Sequence, residues 1–144
     1  MVHHLVAAFI VQADRILLGQ RSPRRDFYPN VWDVFGGHIE PEEQPDQTLV
    51  RETEEELGIT PVQWTKLEII RDSVPDRDNM PYHDLIVHVY CVVDWSGTPV
   101  NRQPEEHSVI QWFSYDEAVQ LELAHHSYPR LFAQCLQIIT GNQQ

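Results

Sequence analysis

The chain has 144 residues, of which 42 % are apolar and 22 % charged. This is ordinary globular usage, which excludes disorder, collagen and coiled coil as descriptions of the whole chain. At this length roughly 70 % of the unfolded surface can be buried, so one domain spanning residues 1–144 needs no disulfide or structural metal to hold its core. The 22 acidic residues outnumber the 10 basic ones and leave a net charge of −12. Polymeric nucleic acid is thereby excluded as a partner, because its binders carry a basic face; a small polyanion remains open if a divalent cation stands between it and the protein.

Residues 5–11, Leu-Val-Ala-Ala-Phe-Ile-Val, and 15–18, Arg-Ile-Leu-Leu, are apolar runs separated by Gln12-Ala13-Asp14 and read as a hairpin-like pair of strands. The first run is too short to span a membrane and lacks the charged start of a signal peptide, so a soluble cytoplasmic protein with no membrane partner is expected. A loop over 22–30 carries two prolines and Arg24-Arg25. Residues 31–35 suit a short strand ended by Gly36-Gly37. Over 45–57 the signals are helical: Pro45 suits the first position, Asp46 and Gln47 the first turn, and Gly58 the stop. Strands are expected over 64–73, 84–93 and 109–113. Ser114, with Glu117 three residues on, makes a capping box that opens a helix through Leu123. A last helix is expected from about 127 to 139, with Leu131, Cys135, Ile138 and Ile139 on one side. The succession predicts an α/β fold, a sandwich around a mixed β-sheet. Cys91 and Cys135 match no metal-ligand spacing; a disulfide is conceivable, but reduced thiols are the expectation.

The chemistry is concentrated between Glu40 and Glu56, where 17 positions hold eight of the acidic residues against one base, Arg51. On a helix, Glu52, Glu55 and Glu56 share a face, with Leu49, Val50, Thr53 and Leu57 on the adjoining core stripe. Clustered carboxylates repel one another unless a cation compensates. Hard oxygen ligands in this arrangement suit Mg²⁺, Mn²⁺ or Ca²⁺; a solvated acidic helix face is the plain alternative.

Gly37, five residues, Glu43, seven residues, and then Arg51-Glu52-Thr53-Glu54-Glu55-Glu56-Leu57-Gly58-Ile59 resemble the Nudix box over residues 37–59. The resemblance implies a Nudix-type α/β/α sandwich and a Mg²⁺-dependent pyrophosphohydrolase, with Mn²⁺ as a substitute metal. It implies that Glu52, Glu55 and Glu56 are the metal-binding and catalytic carboxylates, joined by the Gly36 carbonyl. Glu55 is then the first choice for the group that deprotonates or holds water. Glu105 and Glu106 are candidates for an additional outer carboxylate, with a solvated loop as the alternative for each. Arg51 and Glu43 become a structural pair. Arg21 resembles a phosphate-directed position, and Arg24 and Arg25 either share that task or lie on a solvated loop. Phe27, Tyr28, Trp32, Phe35 and Tyr82 can stack a base, although core packing is the expectation for most. His38 and His125-His126 receive no role.

The sequence departs from the family at Thr53, where an aliphatic residue is usual, at Thr48-Leu49, and at Phe35 in place of a proline. The short chain and Leu17-Leu-Gly-Gln-Arg21 are similar to members that cleave nucleoside triphosphates, so the expected substrate is a (d)NTP or modified (d)NTP, giving the monophosphate and pyrophosphate. ADP-ribose or another nucleoside-diphosphate conjugate is the alternative, because Pro75 lies 16 residues after Ile59. Residues 28–32 and Gly37-His38 resemble isopentenyl-diphosphate isomerase, but its cysteine before the Gly-His pair is missing here. A non-catalytic nucleotide sensor would be expected to lose part of the box. A homodimer stays open.

Overall fold

A computed structural model describes residues 2–25, 28–74 and 83–142. Seven strands and three helices follow in the order β1 (Val2–Gln12), β2 (Arg15–Arg21), β3 (Trp32–Asp33), β4 (Phe35–His38), α1 (Pro45–Leu57), β5 (Thr60–Val74), β6 (His83–Ser96), β7 (His107–Ser114), α2 (Tyr115–Ala118) and α3 (Tyr128–Asn142). The sheet runs β3-β2-β1-β6-β5, with β4 also on β1 and β7 also on β2. The β1–β6 pairing is parallel and the others are antiparallel, so the sheet is mixed.

Alternation along β1 divides the interior. Val6, Ala8 and Ile10 pack with Leu49, Leu57 and Ile59, against α1. Phe9 and Val11 pack with Leu131, Phe132 and Cys135, against α3. On β6, Tyr90 and Val92 join the first cluster, Val89 and Cys91 the second. Strand period two thus builds two cores on opposite faces of one sheet, the α/β/α sandwich. Each fully buried large side chain contributes about 1.5–3 kcal/mol. Both cysteines are free and buried.

The hairpin pairing of β1 and β2 covers only Ile10–Gln12 against Arg15–Leu17. Beyond it β1 takes β4 as neighbour, at Leu5–Ala8, and β2 takes β3, at Gly19 and Gln20. The two strands therefore diverge, and the chain through β3 and β4 fills the gap. This corrects the expectation of one strand over 31–35 stopped by glycines: Gly36 and Gly37 lie inside β4, opposite Ala7 and Val6. At Gly36 φ is +145°, and a Cβ would sit 1.9 Å from the Val6 carbonyl oxygen. Close strand approach, rather than chain termination, is the reason for glycine there.

Helix α1 has the predicted limits. Gln47 Oε1 accepts the Gln44 N–H at 2.8 Å, and the Gly58 N–H reaches the Glu54 carbonyl at 3.0 Å from a left-handed conformation. Thr53 buries its hydroxyl by donating to the Leu49 carbonyl at 2.8 Å. Val50 is half-buried, and Thr48 instead takes a buried place. Helix α2 corrects the expectation of a helix through Leu123. The capping box at Ser114 forms, with the Glu117 N–H on Ser114 Oγ at 3.2 Å and the Ser114 N–H on Glu117 Oε1 at 2.8 Å. The helix nevertheless stops at Ala118, because the chain beyond it pairs with β3. The Trp32 N–H donates to the Glu122 carbonyl and the Ala124 N–H to the Trp32 carbonyl, each at 2.8 Å. Among the described residues no helix is long and apolar enough to cross a membrane.

Candidate active site

Arg51 sits at the centre of the acidic segment. Its guanidinium grips Glu43 through two bonds, Nε to Oε2 at 2.8 Å and Nη2 to Oε1 at 3.0 Å, and Nη2 also reaches the His38 carbonyl at 3.0 Å. Thr48 Oγ1 donates to Glu43 at 2.5 Å. These donors hold the Glu43 carboxyl down at about 2, and the Glu43 carboxylate in turn raises the Arg51 guanidinium further above its ordinary value. The pair ties the loop before α1 to the helix. From there Nη1 reaches Glu52 at 2.8 Å and Glu55 at 3.4 Å.

The three helix carboxylates occupy different environments. Glu55 is about half exposed. Glu52 lies against Gly37, where a Cβ would come within 2.6 Å of its carboxyl carbon. Burial, followed by the neighbouring Glu56, raises the Glu52 carboxyl to about 7. Glu56 is the most enclosed. Its Oε1 accepts the Gly36 N–H at 2.9 Å, and its Oε2 lies 3.2 Å from His107 Nε2. Burial is the chief reason its carboxyl rises to about 8, with Glu106 adding to the rise and the Gly36 N–H opposing it.

Glu106, Glu56 and His107 place one ligand atom each within 4.8 Å of one another. Glu105 is exposed. Arg25 lies 3.9 Å from Glu106. Arg21 donates from Nη1 to Asp33 at 3.3 Å and from Nε to the Tyr28 carbonyl at 3.1 Å. Arg24 is exposed, its backbone N–H on Ser22 Oγ at 3.2 Å.

Some of these groups open on a cleft of about 540 Å³, which Glu52, Glu55, Arg24 and Glu105 do not line. Arg21, Arg25, Gly36, Gly37, Glu56 and Glu106 line it together with apolar walls from Ile70, Leu85 and Val87. Sequence reasoning missed several of its polar members. Tyr128 Oη donates to Asp33 at 2.5 Å. His125 bridges Asp72, at 2.7 Å, and Ser127, at 2.6 Å; the imidazole holds the Asp72 carboxyl below its ordinary value. His107, buried at the start of β7, was also passed over. Its signal was present: Glu105-Glu106-His107 sets ligand types side by side immediately before a strand. Of the aromatic candidates, Phe35 is buried in the core, Trp32 packs edge-on to Phe113, and Tyr28 is exposed at the cleft. Phe27, Tyr82 and Pro75 lie outside the described residues.

The donor set fits a hard divalent cation. A buried carboxylate, Glu56, and a half-buried one, Glu52, both with raised pKa values, and a third, Glu106, near them are costly when ionised together, and a cation removes that cost. Oxygen ligands favour Mg²⁺ or Mn²⁺, and the nearby imidazole is compatible with Mn²⁺.

The NUDIX domain family matches residues 1–135. The CTP pyrophosphohydrolase of Escherichia coli K12 is 36 % identical over 90 % of this chain and 88 % of its own. The 8-oxo-dGTP diphosphatase of Proteus vulgaris is 30 % identical over 65 % of this chain and 79 % of its own. Among solved structures, a MutT NUDIX hydrolase from Burkholderia pseudomallei superposes with a TM-score of 0.74 at 28 % identity, covering 94 % of this chain and 98 % of that one.

Proposed function

The chain belongs to the NUDIX family and is a hydrolase of nucleotide-type substrates; on that premise we propose that it is a Mg²⁺-dependent pyrophosphohydrolase of a (d)NTP or modified (d)NTP, releasing the monophosphate and pyrophosphate. The observation that carries this reading is the pair of raised carboxyls on α1, Glu52 half-buried against Gly37 and Glu56 buried in the wall of the cleft. The two relatives named above act on nucleoside triphosphates by name, which supports the substrate class.

Glu52, Glu56 and Glu106 would hold the cation, with Glu55 and the Gly36 carbonyl as the further ligands that the box implies. When bound, it neutralises the diphosphate oxygens and acidifies an attacking water. Glu55, exposed and near Arg51, accepts the proton of that water. Arg51 itself is committed to Glu43 and acts on the substrate only through the carboxylates it orders. Arg21 and Arg25 face the cleft and supply positive charge to the phosphates, Arg21 held in place by Asp33 and the Tyr28 carbonyl. The apolar strip of Ile70, Leu85 and Val87 gives the base or sugar a dry surface. An isomerase reading is not favoured: Cys91 is buried in the core beneath α3, and Phe35 and Gly36 stand where that chemistry needs a thiol.

The test is turnover with Mg²⁺ of CTP, the dNTPs, oxidised dNTPs, ADP-ribose, dinucleoside polyphosphates and isopentenyl diphosphate, with products separated chromatographically. A nucleoside triphosphate is expected to give monophosphate and pyrophosphate. Glu55→Gln is expected to lower kcat by about 10²–10⁴-fold with KM little changed, the loss typical of a removed general base. Preferred turnover of ADP-ribose would replace the substrate class, and nucleotide binding without turnover would leave a sensor.

A further inference from the structure

Glu56 is held by both of its oxygens. Oε1 takes the Gly36 N–H at 2.9 Å, and Oε2 faces His107 Nε2 at 3.2 Å, with the two side chains only 4 % and 5 % exposed. His107 has little freedom of its own. Its ring meets Phe35 edge-on at 5.3 Å between centroids, and Asn101 Nδ2 fastens its carbonyl at 2.8 Å. Its other face lies against Gly19 so closely that a Cβ there would come within 2.9 Å of Nδ1 and 3.2 Å of Cγ. Nδ1 is buried without a hydrogen-bond partner among the described residues.

That orphaned nitrogen decides the tautomer. A proton on Nδ1 would be a buried donor with no acceptor, and would leave the Nε2 lone pair facing a carboxylate oxygen. A proton on Nε2 is satisfied by Glu56 Oε2 and leaves only a lone pair unpaired beside Gly19. We propose that His107 is a positioning residue for Glu56: its Nε2–H, fixed by packing against Gly19 and Phe35, donates to Oε2 and, together with the Gly36 N–H on Oε1, sets the carboxylate in one orientation toward the cleft. The inference rests on the reading of Glu56 as a cation ligand. A ligand carboxylate that cannot rotate keeps its free lone pairs on the cation and loses less freedom on binding, and outer partners of this kind are worth 10–100-fold in affinity or activity in other proteins. Glycine at position 19 is then part of the site, because it makes room for the ring.

The test is Mn²⁺ binding to the nucleotide-free protein, followed by calorimetry, together with kcat and KM. His107→Phe keeps the ring packing and removes the donor; His107→Gln returns an N–H at similar reach; Gly19→Ala keeps the imidazole but displaces it. His107→Phe is expected to weaken Mn²⁺ binding about 10–100-fold and to lower kcat similarly at nearly constant KM. His107→Gln is expected to recover most of both losses, and Gly19→Ala to show a smaller loss of the same kind. Wild-type Mn²⁺ affinity in folded His107→Phe, or in Gly19→Ala, would overturn the proposal. Failure of His107→Gln to rescue, with a selective loss of Zn²⁺ over Mg²⁺ affinity, would also overturn it and make the imidazole a ligand. If Glu56→Gln bound Mn²⁺ as tightly as wild type, the reading of Glu56 would fail and the proposal with it.

Discussion

Arg51 and Glu56 show how two charged side chains in one helix can serve opposite ends. Arg51 meets Glu43 in a bidentate geometry and so holds it ionised down to about pH 2, a stabilising arrangement. Glu56 has its charge penalised by burial, which raises it to about 8. A residue in that state destabilises the metal-free fold at neutral pH, a cost that the proposed cation would offset. Glu56→Gln is therefore expected to raise the Tm of the metal-free protein at pH 8 by several degrees, a gain of about 1–3 kcal/mol. The same change is expected to remove stabilisation by Mg²⁺ and to lower kcat at least about 100-fold. Thermal scans with EDTA and with Mg²⁺, alongside steady-state kinetics, check all three. A metal-free variant less stable than wild type would mean that the buried charge is compensated in some other way.

At the scale of elements, the site is made where β4 meets α1. Gly36 must approach β1 closely, and its N–H is what Glu56 accepts. Gly36→Ala places a Cβ 1.9 Å from the Val6 carbonyl oxygen at φ +145°. Neither strain can relax without moving the strand, so a loss of about 3 kcal/mol or more is expected, visible as a lower urea midpoint. Any folded fraction should bind Mn²⁺ weakly, because the donor to Glu56 moves with the strand. A near-neutral result would show that β4 can shift without cost. The other end of the molecule gives the converse lesson. The capping box at Ser114 forms, yet α2 has only one turn, because residues 122–124 meet the edge of β3. Local capping decides where a helix starts, but a competing backbone partner decides where it stops.

For the molecule as a whole, the proposed cation binding would be coupled to titration. Folding raises Glu52 to about 7 and Glu56 to about 8 from an ordinary 4.5. The folded state thus binds their protons more tightly than the unfolded chain does. The stabilisation is fully present below about pH 4.5 and is lost as pH rises through 7 to 8. Glu43, lowered to about 2, acts in the opposite sense and loses its contribution as pH falls from 4.5 toward 2. The metal-free protein should therefore be most stable near pH 4–5 and weaken toward pH 8 by an amount on the order of a few kcal/mol. A divalent cation, binding the ionised carboxylates, should restore stability mainly above pH 7 and make Tm depend on its concentration. Melting curves from pH 4 to 9, with and without Mg²⁺, check this; a flat metal-free profile would mean that the carboxylates are solvated.

Much of this was legible in residue order. The limits of α1 followed from Pro45, the acidic first turn and Gly58, because those signals act within a few residues. The carboxylate helix and its family resemblance were carried by spacing alone, whereas the apolar runs of β1 and β6 announced strands without showing which side chains face α1 and which face α3. The sequence by itself thus determined the fold class, the hydrolase family and the helix that carries the carboxylates. Tertiary structure decided which of them are buried: Glu55 and Glu56 are adjacent in sequence, yet only Glu56 lies under β4. It also decided that His107 meets Glu56 across 51 residues, and that Asp72 meets His125 across 53. The physical reason is that desolvation and hydrogen bonding between strands and helices depend on distances set by the whole sheet, which no local pattern contains.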